Sequence, residues 1–73
     1  MEREFERFDA KADDGSIYTV IGYQQFIEAR TVDQPTQWLK GMKHYELDDG
    51  SPVNYVDAKT FKIVMTDQII RKV

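Results

Sequence analysis

Apolar and polar residues alternate along much of this chain, and a period of two residues is typical of β-strands. Residues 16–29 are rich in β-branched and aromatic side chains, which predicts one long strand. Gly22 lies in the middle of that stretch, and we expect a bend or bulge there because glycine has no Cβ. Upstream, residues 4–12 alternate except at Phe5, which predicts a bulge or a frayed start near Arg7. These two segments are expected to pair as the first hairpin.

Four shorter apolar segments follow in the second half of the chain. They cover residues 43–47, 53–56, 60–65 and 69–73. The tetrapeptide Asp-Asp-Gly-Ser occurs at 13–16 and again at 48–51, and its glycine supplies the positive φ of a tight hairpin. A type I turn is favoured by the aspartate that opens 57–60, and is also expected at 66–68, which has no glycine. Short strands joined by such turns predict an antiparallel meander.

The expected fold class is therefore all-β. We predict a single small domain over residues 1–73, with five or six antiparallel strands in a strongly bent meander or an SH3-like barrel. Residues 30–42 leave an alternative open. Pro35 and Gly41 bracket 35–40 in the manner of a short helix, which would make the fold α+β. In the competing interpretation the same residues form an extended arm.

Composition narrows the possible functions. The 73 residues include no cysteine, so the chain forms neither disulfides nor thiolate metal sites. Its formal net charge of −3 argues against a strong phosphate-binding surface. No apolar run approaches the roughly 20 residues that span a membrane, and the charged N-terminal segment lacks the apolar region of a signal peptide. We therefore expect a cytoplasmic protein that does not bind membranes.

The sequence contains few residues that are suited to catalysis. His44 is the only histidine, and its alternation with Tyr45 places it on the side of its strand that faces away from the core. Ser16 and Ser51 lie beside their turns rather than in a nucleophile elbow, and no glycine-rich phosphate loop is present. We expect no enzymatic activity and no cofactor.

A cation site is one alternative function. Alternate turns of a meander lie at the same end of the sheet, so several turn carboxylates could gather there. They are Asp13, Asp14, Asp48, Asp49 and Asp67. Clustered carboxylates attract a hard cation or a basic partner. Neither Asp-Asp-Gly-Ser copy has the ligand spacing of an EF-hand loop, however. Aspartate is also favoured in turns without any metal, because its side chain can bond the backbone of the turn.

The residues around Trp38 are the main candidates for a binding surface. Tryptophan, methionine and arginine are enriched at protein interfaces, and the candidate set is Trp38, Leu39, Lys40, Met42 and Arg30. Trp38 could instead belong to the core. Unpaired edge strands offer a partner a second route. We therefore expect a non-enzymatic protein-interaction module, whose partner is another protein or a second copy of the chain in a homodimer.

Single-stranded nucleic acid is the remaining alternative ligand. Small barrels bind single strands through exposed rings and basic residues, and Arg30, Lys40 and Lys43 surround Trp38. The excess of 13 acidic over 10 basic residues argues against this alternative.

Overall fold

The strands form a six-stranded antiparallel barrel. A computed structural model of the chain describes residues 1–29 and 37–73. Its strands are β1 (Glu2–Ala12), β2 (Ile17–Ala29), β3 (Gln37–Leu47), β4 (Pro52–Asp57), β5 (Thr60–Ile63) and β6 (Ile69–Lys72). Each strand pairs with the next, and β6 returns to β1 to close the barrel. The all-β prediction is confirmed, in a form consistent with a small SH3-like barrel.

The alternative of a short helix at 35–40 is wrong for the part of that segment that the structure describes. Residues 37–40 are the first residues of β3, and residues 35 and 36 lie outside the described ranges. Nothing in the described ranges is a helix long and apolar enough to cross a membrane.

The barrel core is built from the inward positions of all six strands. The buried cluster consists of Ala10, Ala12, Val20, Leu47, Val53, Phe61, Ile63 and Ile70. Phe61 is its largest fully buried side chain, and its ring lies 5.1 Å from that of Phe8. Because the β1 positions nearest the barrel centre are alanines, the narrow interior has room for this ring.

The two glycine turns form as predicted. Gly15 and Gly50 have φ values of 90° and 89°. In each turn an aspartate oxygen accepts a hydrogen bond from the backbone two residues later, at 2.9 Å from Ser16 N to Asp14 Oδ1 and from Ser51 N to Asp49 Oδ1. The repeated tetrapeptide is therefore one local geometry used twice.

The turn between β5 and β6 differs from the prediction. The apolar segment predicted at 60–65 is shorter in the structure, because β5 ends at Ile63 and Met65 is exposed in the turn. Asp67 takes the left-handed conformation, with φ 58°, where a type I turn without positive φ was expected. Aspartate tolerates this conformation because its short polar side chain bonds locally.

A bulge near the start of β1 confirms the prediction at Phe5. The register against β2 shifts between Glu4 and Glu6, so Phe5 is the extra residue. Gly22 itself pairs with Glu6 and Tyr45, so the bulge beside it lies in β1 and not at Gly22 in β2. A Cβ at Gly22 would lie 2.9 Å from the Phe5 ring and 3.0 Å from the Tyr45 ring. The glycine therefore makes room for two rings that pack over it.

Two strands, β2 and β3, extend well beyond the barrel, and the first residues of β1 run beside β2 as far as Phe26. β1 pairs with β6 only at 10–12, and β3 pairs with β4 only at Tyr45 and Glu46. Residues 23–29 of β2 and 37–43 of β3 continue as a paired ribbon, which we call the arm. It gives the molecule principal extents of 56 × 22 × 19 Å.

Candidate functional site

The arm carries most of the sequence-predicted binding residues. Trp38, Leu39, Lys40 and Met42 all lie on it, in β3. Trp38 is not a core residue, since it is 51% exposed. Arg30, the fifth residue of that set, lies outside the described residues.

The predicted set is divided between the two faces of the arm. Directly opposed residues of an antiparallel pair project from the same face. Phe26 opposes Lys40, and this face also carries Trp38, whereas Ile27 opposes Leu39 on the other face.

A bulge in β3 completes this division. Gln24 opposes Lys43 and Phe26 opposes Lys40, so β3 has one extra residue between these pairs. Counting back from Lys43 places Met42 on the face of Leu39, whereas an unbroken alternation would have placed it with Trp38.

The side chain of Gln24 stabilises the bulge in β3. Its side chain is buried, with 5% exposure. The amide nitrogen Nε2 donates to the carbonyl oxygen of Gly41 at 2.8 Å and to that of Gln25 at 3.0 Å. At the bulge, the Gly41 carbonyl therefore has a side-chain hydrogen-bond donor in place of a backbone donor of the sheet.

One side of the arm is apolar, and we call Ile27, Leu39 and Met42 its outer face. These side chains are 56%, 51% and 78% exposed. A Cβ at Gly41 would lie 3.1 Å from Ile27 Cδ1, so Ile27 packs across the glycine. The three residues are uncharged, and strand register places one acidic residue, Glu2 opposite Gln25, on the same side of the arm.

The opposite side of the arm is a cationic groove, defined by Arg3, Phe5, Phe26, Trp38, Lys40 and Lys43. Two adjoining depressions of about 180 and 250 Å³ share Arg3 and Phe26 as lining residues. Lys43 Nζ lies 5.1 Å from the centroid of the Phe5 ring. Arg3, Phe5 and Phe26 reach the groove from β1 and β2, so the sequence of β3 alone does not indicate that they belong to it.

Among the described residues, the groove cations form no ion pairs with acidic side chains. Four other cations form the described lysine and arginine ion pairs, which join Arg7 to Glu4 (2.8 Å), Lys62 to Asp67 (3.3 Å), Arg71 to Asp13 (2.9 Å) and Lys72 to Glu6 (3.0 Å). Within residues 1–29 and 37–73, Arg3, Lys40 and Lys43 have no such pair. Glu4 lines the groove but is occupied by Arg7.

Aromatic side chains continue from the groove to the barrel. The Phe5 ring meets Tyr45 edge-on at 6.0 Å, and Tyr45 stacks with Tyr55 at 6.0 Å. Tyr45 and Tyr55 line a cleft of about 500 Å³ where β3 and β4 diverge, and Lys43 also lines it. The groove and the cleft therefore share Lys43 as a lining residue.

The predicted cation site receives no support from the geometry. The turns of Asp13, Asp14, Asp48, Asp49 and Asp67 do lie at one end, because they join successive strands of a closed meander. Across the described ranges, however, no three acidic or histidine side chains are grouped so that they could hold a metal ion.

Two of these carboxylates serve the turns themselves. The Ser16 and Ser51 backbone N–H groups hold the pKa values of Asp14 and Asp49 below their ordinary value. Asp13 pairs with Arg71, and Asp67 pairs with Lys62.

Comparison with known proteins adds no homologue. No family model, curated protein or solved structure matches this chain.

Proposed function

We propose that this chain is a non-enzymatic protein-interaction module, and that it binds a second copy of itself through the outer face of the arm. The observation that carries the proposal is the exposure of Ile27, Leu39 and Met42 together on one side of a projecting ribbon. Apolar side chains grouped at such a position are typical of interfaces.

The ribbon gains stability from being covered. Met1 bonds Phe26 through its backbone, and among the described residues the last residues of β2, 27–29, pair only with β3. A two-stranded ribbon is marginally stable in water unless its apolar face packs against something.

A second copy suits the chemistry of this face. In a two-fold dimer the same patch meets itself, and because Ile27, Leu39 and Met42 are uncharged, their contact avoids like-charge repulsion. The cationic groove would repel its own copy, which leaves the outer face as the side of the arm that can pair with itself. Face-to-face packing of two ribbons would form a small four-stranded sandwich.

The expected affinity is modest. Fully burying a leucine, isoleucine or methionine contributes about 1.5–3 kcal/mol, so burying the exposed fractions of three residues in both copies contributes roughly 6–11 kcal/mol. Association itself costs about 4–15 kcal/mol. The balance predicts a dimer in the micromolar range or weaker.

Single-cysteine variants test this arrangement, because the natural chain has no cysteine. Ile27→Cys, Leu39→Cys and Met42→Cys are made separately and oxidised mildly. Residues close to the two-fold axis should form disulfide-linked dimers, since a bridge needs Cα atoms within about 7 Å. Val56→Cys, on an exposed apolar residue of β4, is the matched control. Equal or slower dimer formation by all three arm variants than by the control would disprove the proposal.

The cytoplasm is the setting that this proposal implies. A chain without cysteine requires no oxidising compartment for folding.

A further inference from the structure

The cationic groove has a regular layout across three strands. Arg3, Gln24 and Lys43 oppose one another in one row across β1, β2 and β3. Phe26 and Lys40 form the next row, and Trp38 belongs to the row beyond. Rows on one face of a sheet are about 6.6 Å apart. Cations and rings are therefore interspersed along the length of the groove.

Three cations that form no ion pair in the described ranges lie together in the groove, and this arrangement favours an anionic ligand. Arg3, Lys40 and Lys43 repel one another, and a bound polyanion would release their counterions and relieve that repulsion. Of the cations on the barrel, four are already paired with acids.

The net charge of −3 causes little electrostatic repulsion of an anionic ligand at the groove. Lys43 and Lys40 lie five and eight residues along β3 from the turn residue Asp48, which is about 17 and 26 Å. Charges so far apart are largely screened at physiological salt, where the Debye length is about 8 Å. Among the described residues, Glu28 lies on the groove face opposite Trp38, and Glu4, which also lines the groove, is paired with Arg7.

The rings specify the kind of polyanion. Trp38 and Phe5 are 51% and 43% exposed, although burial is the usual state of such side chains. Exposed rings that alternate with cations bind single-stranded nucleic acids, because bases stack on the rings while phosphates meet the cations. An acidic peptide would use the cations and leave the rings without a partner.

We propose that the cationic groove binds single-stranded nucleic acid, with phosphates on Arg3, Lys40 and Lys43 and bases stacked on Trp38, Phe26 and Phe5. Binding depends little on base sequence, because rings stack with every base. The site is independent of the proposed dimer, since Ile27, Leu39 and Met42 project from the other face.

Fluorescence provides a direct test, because Trp38 is the only tryptophan. Titration with a single-stranded DNA of mixed sequence should quench its emission, and anisotropy of a labelled strand should give the affinity. With three phosphate contacts, the logarithm of the binding constant should fall with the logarithm of salt concentration at a slope of about −2.

Variants identify the groove as the site. Lys40→Gln and Lys43→Gln should each weaken binding and reduce the magnitude of the salt slope by about 0.7. Lys11→Gln and Lys59→Gln are the matched controls, because these lysines lie on the barrel and also form no ion pair within the described ranges. Trp38→Leu should weaken binding of the labelled strand at least about fivefold through lost stacking.

Three results would each overturn the proposal. The first is the absence of binding at about 50 mM salt, where phosphate contacts are strong. The second is equal weakening by the control lysines, which would indicate a diffuse charge effect. The third is full competition by polyglutamate together with an unchanged affinity of Trp38→Leu, which would indicate an acidic protein ligand.

Discussion

Replacing Gly22 with alanine would place a methyl group between two aromatic rings. The new Cβ would lie 2.9 Å from Phe5 Cε1 and Cζ and 3.0 Å from Tyr45 Cε1. Ordinary contacts of this kind are about 3.5–4.0 Å, so one ring has to move. Tyr45 is held against Phe61 at 4.9 Å, which makes Phe5 the ring that yields.

The cost follows from two opposing effects. Overpacking in a well-packed site costs about 1–3 kcal/mol. Alanine in a strand gains about 0.5–1 kcal/mol over glycine, and the φ of Gly22 is not in the left-handed region, so this gain applies. We expect Gly22→Ala to lower the free energy of unfolding by about 1–2 kcal/mol, out of a total of about 4–11 kcal/mol for a chain of this length.

Urea denaturation of four variants measures this effect. Gly41→Ala is the matched control, because its new Cβ would meet the flexible end of Ile27 at 3.1 Å, and we expect little change or a small gain in stability. Phe5→Leu removes the ring, so in that background Gly22→Ala should cost about 1 kcal/mol less. A Gly22→Ala variant as stable as the natural chain, or an unchanged cost in the Phe5→Leu background, would refute this account of the bulge.

Two further predictions concern side chains that satisfy the backbone. Gln24→Leu should lower the free energy of unfolding by about 1–3 kcal/mol, because the Gly41 carbonyl loses its hydrogen-bond donor. Gln25→Leu, at the exposed neighbouring position, should leave the free energy of unfolding unchanged. Equal urea midpoints for the two variants would contradict this prediction. Asp14, Asp49 and Asp57 have pKa values lowered by backbone N–H groups, so their stabilisation is present above the ordinary value of 3.8 and is lost as pH falls below it. The melting temperature should therefore fall in acid, and should fall less in the triple Asp→Asn variant; an identical acid dependence would exclude these carboxylates as its source.

Local patterns were sufficient to predict most of the barrel. Alternation located the strands, and the requirement for positive φ located Gly15 and Gly50. Phe5 stood out because it broke the alternation of β1, and the structure has a bulge there.

Features that depend on contacts between strands could not be predicted in this way. Gly22 is required by rings from β1 and β3, neither of which is adjacent to it in sequence. Met65 continued an alternating pattern, but β5 ends at Ile63 and the turn begins there.

The candidate site shows the same limit. Trp38 and Lys40 were identified because both occur in one short stretch, whereas Arg3 and Phe26 join them only through strand register. The separation of Met42 from Trp38 depends on the bulge in β3. Gly41 is the available signal for that bulge, since a glycine inside a strand often marks one.

The local distribution of charge also matters more than the total. The net charge of −3 argued against an anionic ligand. In the structure, the aspartate-rich turns lie at the end of the barrel away from the arm, and three cations without ion pairs in the described ranges line the groove. The two faces of one arm thus differ in character, since one exposes three apolar side chains and the other is cationic and aromatic.

Sedimentation velocity at about 10 µM and about 1 mM tests the central claim, that the outer face of the arm binds a second copy. The sedimentation coefficient of the natural chain should rise with concentration toward that of a dimer. Leu39→Glu, which places a charge in the apolar contact, should remain monomeric, whereas Val56→Glu on the barrel should behave like the natural chain. A natural chain that is monomeric at both concentrations, or a Leu39→Glu variant that still dimerises, would contradict the account.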